Sequence, residues 1–418
     1  MLLLASDVAT RFSHGLLLPS CSSAIPLQRQ EHNRWVKLQV CGTVPSPRSG
    51  HDVAVVGNKL YLFGGCGGEN DAINCLNDMY TFDLDRHVWE LIPHRGEEMP
   101  TARASFAMCS GPDEKTLIVA GGTGVEMDSL RSDILQFDTR TRRWIKLHRD
   151  GDDAPSKFYG QTVCRYGDVL LLFGGSTGLH YTNDLFEYNV VTNCWRKLVT
   201  QGRRPSPRYK HQAVVVGDFM YVIGGGCFKP EQSAIDMYCL NLRTLVWAQP
   251  RSAGAVPRAR VAHSCSFDPE TCTIYLWGGF TGELSRLQDF YAYHAPTGEW
   301  TEIRTAPPGG AAAAPAAGGG GCGGGAAAAV APYARAFHSA VFYKGALYVF
   351  SGANGDVRYN DVWRYRMRSS PPALGVLAGR ALLHSRLGVQ QMMALEALLP
   401  HEVLDAVLTM NESASRLT

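Results

Sequence analysis

The chain has 418 residues, with 44 glycines, 17 tyrosines, 16 phenylalanines and 8 tryptophans against only 19% charged residues, a balance that suits many short strands and glycine-rich turns and predicts an all-β class. Lys plus Arg number 40 and Asp plus Glu 38, a formal charge of +2, which is far from the basic field that nucleic acid requires, so no nucleic-acid partner is expected. The 12 cysteines show no C-x-x-C pair and no His/Cys cluster at zinc spacing, so neither a disulfide frame, a metal site nor a cofactor is expected, and the composition suits a reducing compartment, cytoplasm or nucleus.

Residues 1–33 hold two apolar patches separated by Asp7, Arg11 and His14, with no basic region ahead of them. They read as a disordered leader rather than a signal peptide. Nowhere does an apolar run reach the roughly twenty residues that a membrane-spanning helix needs, so a soluble protein without a membrane partner is expected. A short strand, RWVKL at 34–38, then brings Trp35.

Next comes a repeat. A short apolar run ending in a small doublet recurs as LYLFGG at 60–65, LIVAGG at 117–122, LLLFGG at 170–175, MYVIGG at 220–225, IYLWGG at 274–279 and LYVFSG at 347–352. The steps between doublets are 57, 53, 50, 54 and 73 residues, the last lengthened by an Ala/Gly-rich tract at 306–331 that reads as a flexible surface loop. An Asp opens an alternating stretch after each doublet (Asp78, Asp133, Asp184, Asp236, Asp289 and Asp361), and a tryptophan follows in five copies: Trp89, Trp144, Trp195, Trp247 and Trp300. Alternation of this kind marks a half-buried strand. Ahead of the doublets lies P-x-x-R-x-x-H, complete at Pro45/Arg48/His51, Pro205/Arg208/His211, Pro257/Arg260/His263 and Pro332/Arg335/His338. The second copy has Phe106 for the histidine, and the third has Phe158 and Gln161 for the arginine and histidine.

Four strands per copy, a Gly-Gly ending the second and a Trp in the fourth resemble the kelch repeat over residues 34 to 367. The resemblance implies an all-β, six-bladed propeller. The sixth copy ends at DVWRYRM without its tryptophan, so Trp35 is expected to supply the missing outer strand and close the ring.

The periodic arginines and aspartates have two readings. They pair structurally, so that charge approaches the packed centre without being left alone; Asp184 then has only Lys157 nearby in its own copy. Alternatively, the segments before each first strand and the loops after each doublet share one face, where Arg208, Arg260 and Lys210 hold a carboxylate and Tyr159, Tyr209, His180, Tyr181, Phe228 and Phe280 wall the mouth. The third copy, which departs from its own pattern, is the favoured place for function. No nucleophile elbow surrounds GGSTG at 174–178, and no enzyme activity is expected.

Residues 368–418 lose the Gly-Gly and Trp punctuation and turn helical, with Leu374, Ala378 and Leu382 on one stripe. Pro400 fits the first turn of a further helix whose face continues through Val403 and Val407. One reading packs these helices on the flank of the propeller. The other rests on resemblance: Leu374, Ala378 and Leu382 are similar to an elongin-binding BC box, with Ala378 where its cysteine usually stands, and Leu399-Pro400-x-x-Val403-x-x-x-Val407 is similar to a cullin-2 box. With SKFYGQ, GGSTGLHYTNDL and PRYKHQ, the layout resembles the kelch domain-containing cullin-2 substrate receptors. That resemblance implies a non-catalytic adaptor whose propeller holds the carboxy-terminal tails of substrate proteins and whose helices dock elongin B/C and cullin-2. A kelch scaffold that binds a folded partner, such as a small GTPase or a cytoskeletal protein, is the alternative.

Overall fold

The structure, a computed structural model, describes residues 32–67, 74–96, 98–124, 133–147, 155, 157–230, 232–304 and 331–367. Apart from His32, Asn33 and Ala331, the leader and the Ala/Gly tract lie outside these residues, as does the whole segment that carries Leu374, Ala378, Leu382, Leu399, Pro400, Val403 and Val407. Among the described residues all regular elements are strands, and no helix is long and apolar enough to cross a membrane.

Among the described residues six sheets, each with four antiparallel strands, follow the copies, and a small seventh joins Arg48–Ser49, Cys66–Gly67 and Asn74–Cys75. The first contains Asp52–Val56, Lys59–Phe63, Met79–Asp83 and Val88–Leu91. The second contains Ala107–Ser110, Thr116–Ala120, Ile134–Asp138 and Arg143–Lys146. The third contains Thr162–Tyr166, Val169–Phe173, Leu185–Asn189 and Cys194–Lys197. The fourth is built from Gln212–Val216, Phe219–Ile223, Met237–Asn241 and Val246–Ala248, and the fifth from Ser264–Asp268, Thr273–Trp277, Phe290–His294 and Glu299–Glu302. The sixth joins Ser339–Tyr343, Ala346–Ala353 and Arg358–Arg366 to Trp35–Lys37.

The strand sequences explain these positions. Each doublet-bearing strand is apolar on both faces because neighbouring sheets cover both; TLIVA at Thr116–Ala120 is buried throughout. In the outer strands Val88–Leu91, Cys194–Lys197 and Glu299–Glu302, only the tryptophan is buried. The inner strands neighbour one another in chain order, and Ser339–Tyr343 in turn neighbours Asp52–Val56. One apolar cluster fills each space between adjacent sheets; the one between the sixth and first joins Leu60, Phe82 and Trp89 to Tyr348 and Phe350.

Trp35 takes the place that the repeat reserves for a tryptophan. It stands opposite Tyr365, as Trp89 stands opposite Phe82, Trp144 opposite Phe137, Trp195 opposite Tyr188 and Trp300 opposite Tyr293. Its indole packs 5.3 Å from the Tyr365 ring and 5.8 Å from Trp277 of the fifth sheet. The tie begins slightly earlier than the sequence suggests, since His32 bridges Arg366. Outside three sheets a short parallel strand hugs the tryptophan strand: Cys41–Gly42, Gln201–Gly202 and Ala253–Gly254. Their glycines have φ of 84°, 79° and 79°, and a Cβ on any of them would collide with the tryptophan carbonyl oxygen, so only glycine fits.

The Trp35 strand is thus expected to carry part of the domain's stability. Trp35→Ala should cost about 3–5 kcal/mol and lower the midpoint of thermal unfolding; an unchanged midpoint would show that the sixth sheet does not depend on it.

Candidate binding site

The site grows out of one residue per copy, the residue just before the histidine position. Gly50, Ser105, Gly160, Lys210, Ala262 and Phe337 all have left-handed backbones, with φ between 53° and 68°. In that conformation each N–H turns to the neighbouring copy. Ser105 donates to Gly50 O at 2.8 Å, Gly160 to Ser105 O at 2.7 Å, Lys210 to Gly160 O at 2.7 Å, Ala262 to Lys210 O at 3.0 Å and Phe337 to Ala262 O at 3.1 Å. Gly50 then donates to Phe337 O at 2.9 Å, completing the circuit.

Beneath this circuit lies a central cavity of about 230 Å³ lined by the starts of all six inner strands. His51, His211, His263 and His338 are buried in its wall. Burial, with the adjacent arginines, holds His51 and His263 at about 3, so both are neutral. His211 Nε2 lies 3.0 Å from Thr162 Oγ1 and His338 Nε2 2.9 Å from Ser264 Oγ, each on the inner strand of the preceding sheet. In the third copy Gln161 Nε2 also reaches the preceding sheet, donating to Ala120 O at 2.7 Å. In the second copy Phe106 instead packs edge-on against Phe63, with ring centroids 5.4 Å apart.

The arginine column is structural. Arg48, Arg103, Arg208, Arg260 and Arg335 are 0–1% exposed, each gripping the aspartate of its own copy with two nitrogens and the first carbonyl of the doublet with NH1. This corrects the expectation for Arg208 and Arg260. Arg208 uses Nε on Ser206 O, NH1 on Gly224 O and Asp236, and NH2 on Ser206 Oγ and Asp236; Arg260 is held by Arg258 O, Gly278 O and Asp289. Fully buried and held this way, neither is placed to receive a ligand. Asp184 also departs from expectation, because its partner is Lys197 of the outer strand at 2.9 Å rather than Lys157.

Lys210 is placed differently. It belongs to the axial circuit, is half-buried, donates from Nζ to Ser105 Oγ at 2.7 Å across the ring and sits 5.2 Å from the Phe337 ring centroid. Burial pulls its ammonium down to about 8, against the opposing pull of Asp52. Asp52 is pushed up to about 7 by burial, although its carboxylate accepts from the Val53 and Met108 amides.

Two aromatic groups form among the candidate residues, the second joined to Lys210 through Phe337. Tyr209 stacks on Tyr181 at 4.9 Å and meets Tyr159 edge-on at 6.0 Å; Phe280 joins Phe228 at 5.5 Å and Phe337 at 5.7 Å, with the Arg286 guanidinium 4.7 Å over its ring. Bridges of Tyr159 to Ser176, Ser176 to Tyr181, Tyr209 to Gly226 and Val261 to Phe280 tie the segments before the inner strands to the loops after the doublets. His180 is exposed on a turn closed by Thr177. Phe337, Ser105 and Asp52 were not singled out from the sequence. The signal was the column one place before the histidine, whose G, S, G, K, A, F variation hides a shared backbone conformation. Among the described residues no group of three or more His, Cys, Asp or Glu is placed to hold a metal ion.

The family profile described as "FBX42, beta-propeller domain" matches residues 103–300, and that described as "KLHDC2/KLHL20/DRC7 Kelch-repeats domain" matches residues 21–175. Kelch domain-containing protein 10 of Rattus norvegicus is 28% identical over 297 residues, 66% of this chain and 71% of its own length. The Homo sapiens protein of the same name is 28% identical over 280 residues, 63% of this chain and 62% of its own length. The Leucine-zipper-like transcriptional regulator 1 homolog of Drosophila melanogaster is 28% identical over 277 residues, covering 62% of this chain but 27% of that protein.

A structural arginine column predicts a stability phenotype. Arg260→Ala should cost about 3 kcal/mol, the low end for breaking a buried pair because Asp289 retains some solvent contact; urea unfolding measures it, and an unchanged midpoint would remove the structural assignment. Repeat, pairing and sequence likeness together make this chain a kelch propeller protein related to Kelch domain-containing protein 10, and so a protein-interaction scaffold.

Proposed function

We propose that this chain is the substrate-recognition subunit of a cullin-2 RING ubiquitin ligase, its propeller taking the carboxy-terminal tail of a substrate and its C-terminal segment docking elongin B/C and cullin-2. The observation that carries the proposal is Lys210, an ammonium on the axial circuit that lines the central cavity, donates to Ser105 Oγ and lies against the Phe337 ring. A terminal carboxylate suits such a setting. It would meet the ammonium through a charge-assisted hydrogen bond, while the residues before it lie against Tyr159 and Tyr181 or against Phe228, the members of the two aromatic groups that keep exposed surface; Tyr209 and Phe280 are buried behind them. The docking half rests on Leu374, Ala378 and Leu382 with Leu399, Pro400, Val403 and Val407, whose spacing suits helix-in-groove recognition.

A second reading, a scaffold for a folded partner, draws on exposed apolar side chains: Leu179 at 94%, Phe228 at 46% and Leu284 at 42%. The C-terminal segment separates the two. Elongin B/C should co-purify with the intact chain and be lost on Leu374→Asp while thermal unfolding of the propeller is unchanged; persistence of the complex in that variant, or its absence from the intact protein, would favour the scaffold.

Tail capture should also depend on pH. A peptide carboxylate stays ionised above about pH 4, whereas Lys210 loses its charge above about 8 and Asp52 gains one above about 7. Affinity should therefore fall as pH rises from 6 to 9, by roughly tenfold or more if a charge-assisted bond is lost. Lys210→Met should bind weakly at every pH with a flatter profile. Affinity that holds constant or rises across this range would exclude Lys210 as the carboxylate's partner.

A further inference from the structure

The third sheet holds a receptor from which its own arginine is missing. In the other five sheets a guanidinium lies between the aspartate that opens the third strand and the carbonyl that begins the doublet: Asp78 and Gly64, Asp133 and Gly121, Asp236 and Gly224, Asp289 and Gly278, Asp361 and Ser351. In three of them the ring two residues after the aspartate lies beneath the cation, with Arg48 5.3 Å from Tyr80, Arg208 5.2 Å from Tyr238 and Arg260 5.5 Å from Tyr291. The third copy keeps all these receiving groups. Asp184 opens its strand, Gly174 begins its doublet and Phe186 stands two residues after the aspartate.

What it lacks is the cation. Phe158 occupies the arginine's place in the chain, but its side chain turns into the apolar cluster between the second and third sheets, beside Ile118, Ala120 and Leu172, and comes up against Gly121. A cavity of about 60 Å³ remains, lined by Phe158, Gly174, Thr177, His180, Asp184 and Phe186 among others. Since roughly 10–15 Å³ suffices for one water, it has room for a small planar group. No described side chain donates to the Gly174 carbonyl, and the Asp184 side chain is 36% exposed where its five counterparts are 10–28% exposed. Lys197 reaches Asp184 from the outer strand, 5.7 Å from the Phe186 ring centroid, and is itself 56% exposed. An exposed lysine pair of this kind contributes little, and a single ammonium cannot reproduce the paired, planar contacts of a guanidinium.

We propose that this vacated slot is a guanidinium-binding site that takes an arginine side chain from a partner protein. The five arginines of the same chain show the geometry of the bound state. The inference goes beyond tail capture and does not depend on it, because the ligand is a cation and the groups that receive it are Asp184, Gly174 O and Phe186 rather than Lys210. Displacing Lys197 leaves its ammonium in solvent, and the desolvation of the incoming guanidinium is offset by its pairing with Asp184 and the Gly174 carbonyl.

The test uses the full chain and N-acetylarginine amide as probe, with N-acetyllysine amide for comparison, followed by ligand-observed NMR titration. The arginine probe should bind at least several-fold more tightly than the lysine probe. Asp184→Asn should weaken it by roughly tenfold or more, as expected for a lost charge-assisted contact. Lys197→Ala, a surface change that should leave the fold intact, should tighten it. Phe158→Arg would fill the slot from within and abolish binding. If that variant does not fold, the Lys197 and Asp184 variants decide alone. Equal binding of the two probes, or an arginine affinity indifferent to both Asp184→Asn and Lys197→Ala, would overturn the proposal. An arginine-containing peptide compared with the isolated probe, its citrulline counterpart serving as the control without a guanidinium, then separates a protein-borne side chain from free amino acid: preference for the peptide supports a partner, and capture of the isolated probe alone contradicts it.

Discussion

Six amides around the axis set the terms for everything else in this molecule. Each belongs to a residue held in a left-handed conformation so that its N–H faces the carbonyl of the copy before it, and the sixth bond returns to the first residue. For Ser105, Lys210, Ala262 and Phe337 that backbone is unfavourable by roughly 1–2 kcal/mol each. A hydrogen bond made away from bulk water offsets a cost of that size. Because the main chain makes the circuit, the side chain at each of these positions is released from structural duty. Glycine, serine, lysine, alanine and phenylalanine all serve the same architecture, and what they present to the axis is left to function.

The buried arginines answer a different problem, that of holding the doublet. Two successive glycines in the left-handed region take the first carbonyl of the doublet out of the strand ladder, and the second glycine N–H reaches the next copy's arginine carbonyl, as Gly65 does to Arg103 and Gly225 to Arg260. The guanidinium collects that first carbonyl together with the aspartate of its own copy. Main chain and side chain of one residue thus fasten two sheets. The third sheet keeps the main-chain half of this arrangement, with Gly122 donating to Phe158 O, and replaces the side-chain half by apolar packing. Phe158 is buried in the cluster between the second and third sheets instead of reaching Asp184, which is left more exposed than its five counterparts and pairs with Lys197.

Much of the architecture was legible before any coordinates. The doublets and tryptophans located the second and fourth strands, since a run such as LIVAGG has no helical period and a lone buried tryptophan in a polar strand has a single packing solution. The missing tryptophan of the last copy pointed to Trp35, and the structure pairs the two strands. The site was less legible. Tyr159, Tyr181 and Tyr209 pack together and Lys210 stands on the axial circuit, but Arg208 and Arg260 were equally attractive as ligands for a carboxylate, and only their burial against Asp236 and Asp289 distinguishes a structural cation from a receptive one. Phe337 and Asp52 escaped notice because their importance comes from a backbone angle and a neighbouring strand, neither of which has a residue-type signature. The substitution of Phe158 for arginine was visible at once, whereas the slot it vacates required knowledge of where the other five arginines go.

The propeller's role as a tail receptor turns on one interaction, that of a terminal carboxylate with the axial ammonium. The most direct measurement is an isothermal titration of the full chain with a peptide taken from a candidate substrate's carboxy terminus, in its free-acid and amidated forms. The account predicts that amidation abolishes binding in the wild type and makes little further difference in Lys210→Met. Equal affinity of the wild type for acid and amide would contradict it.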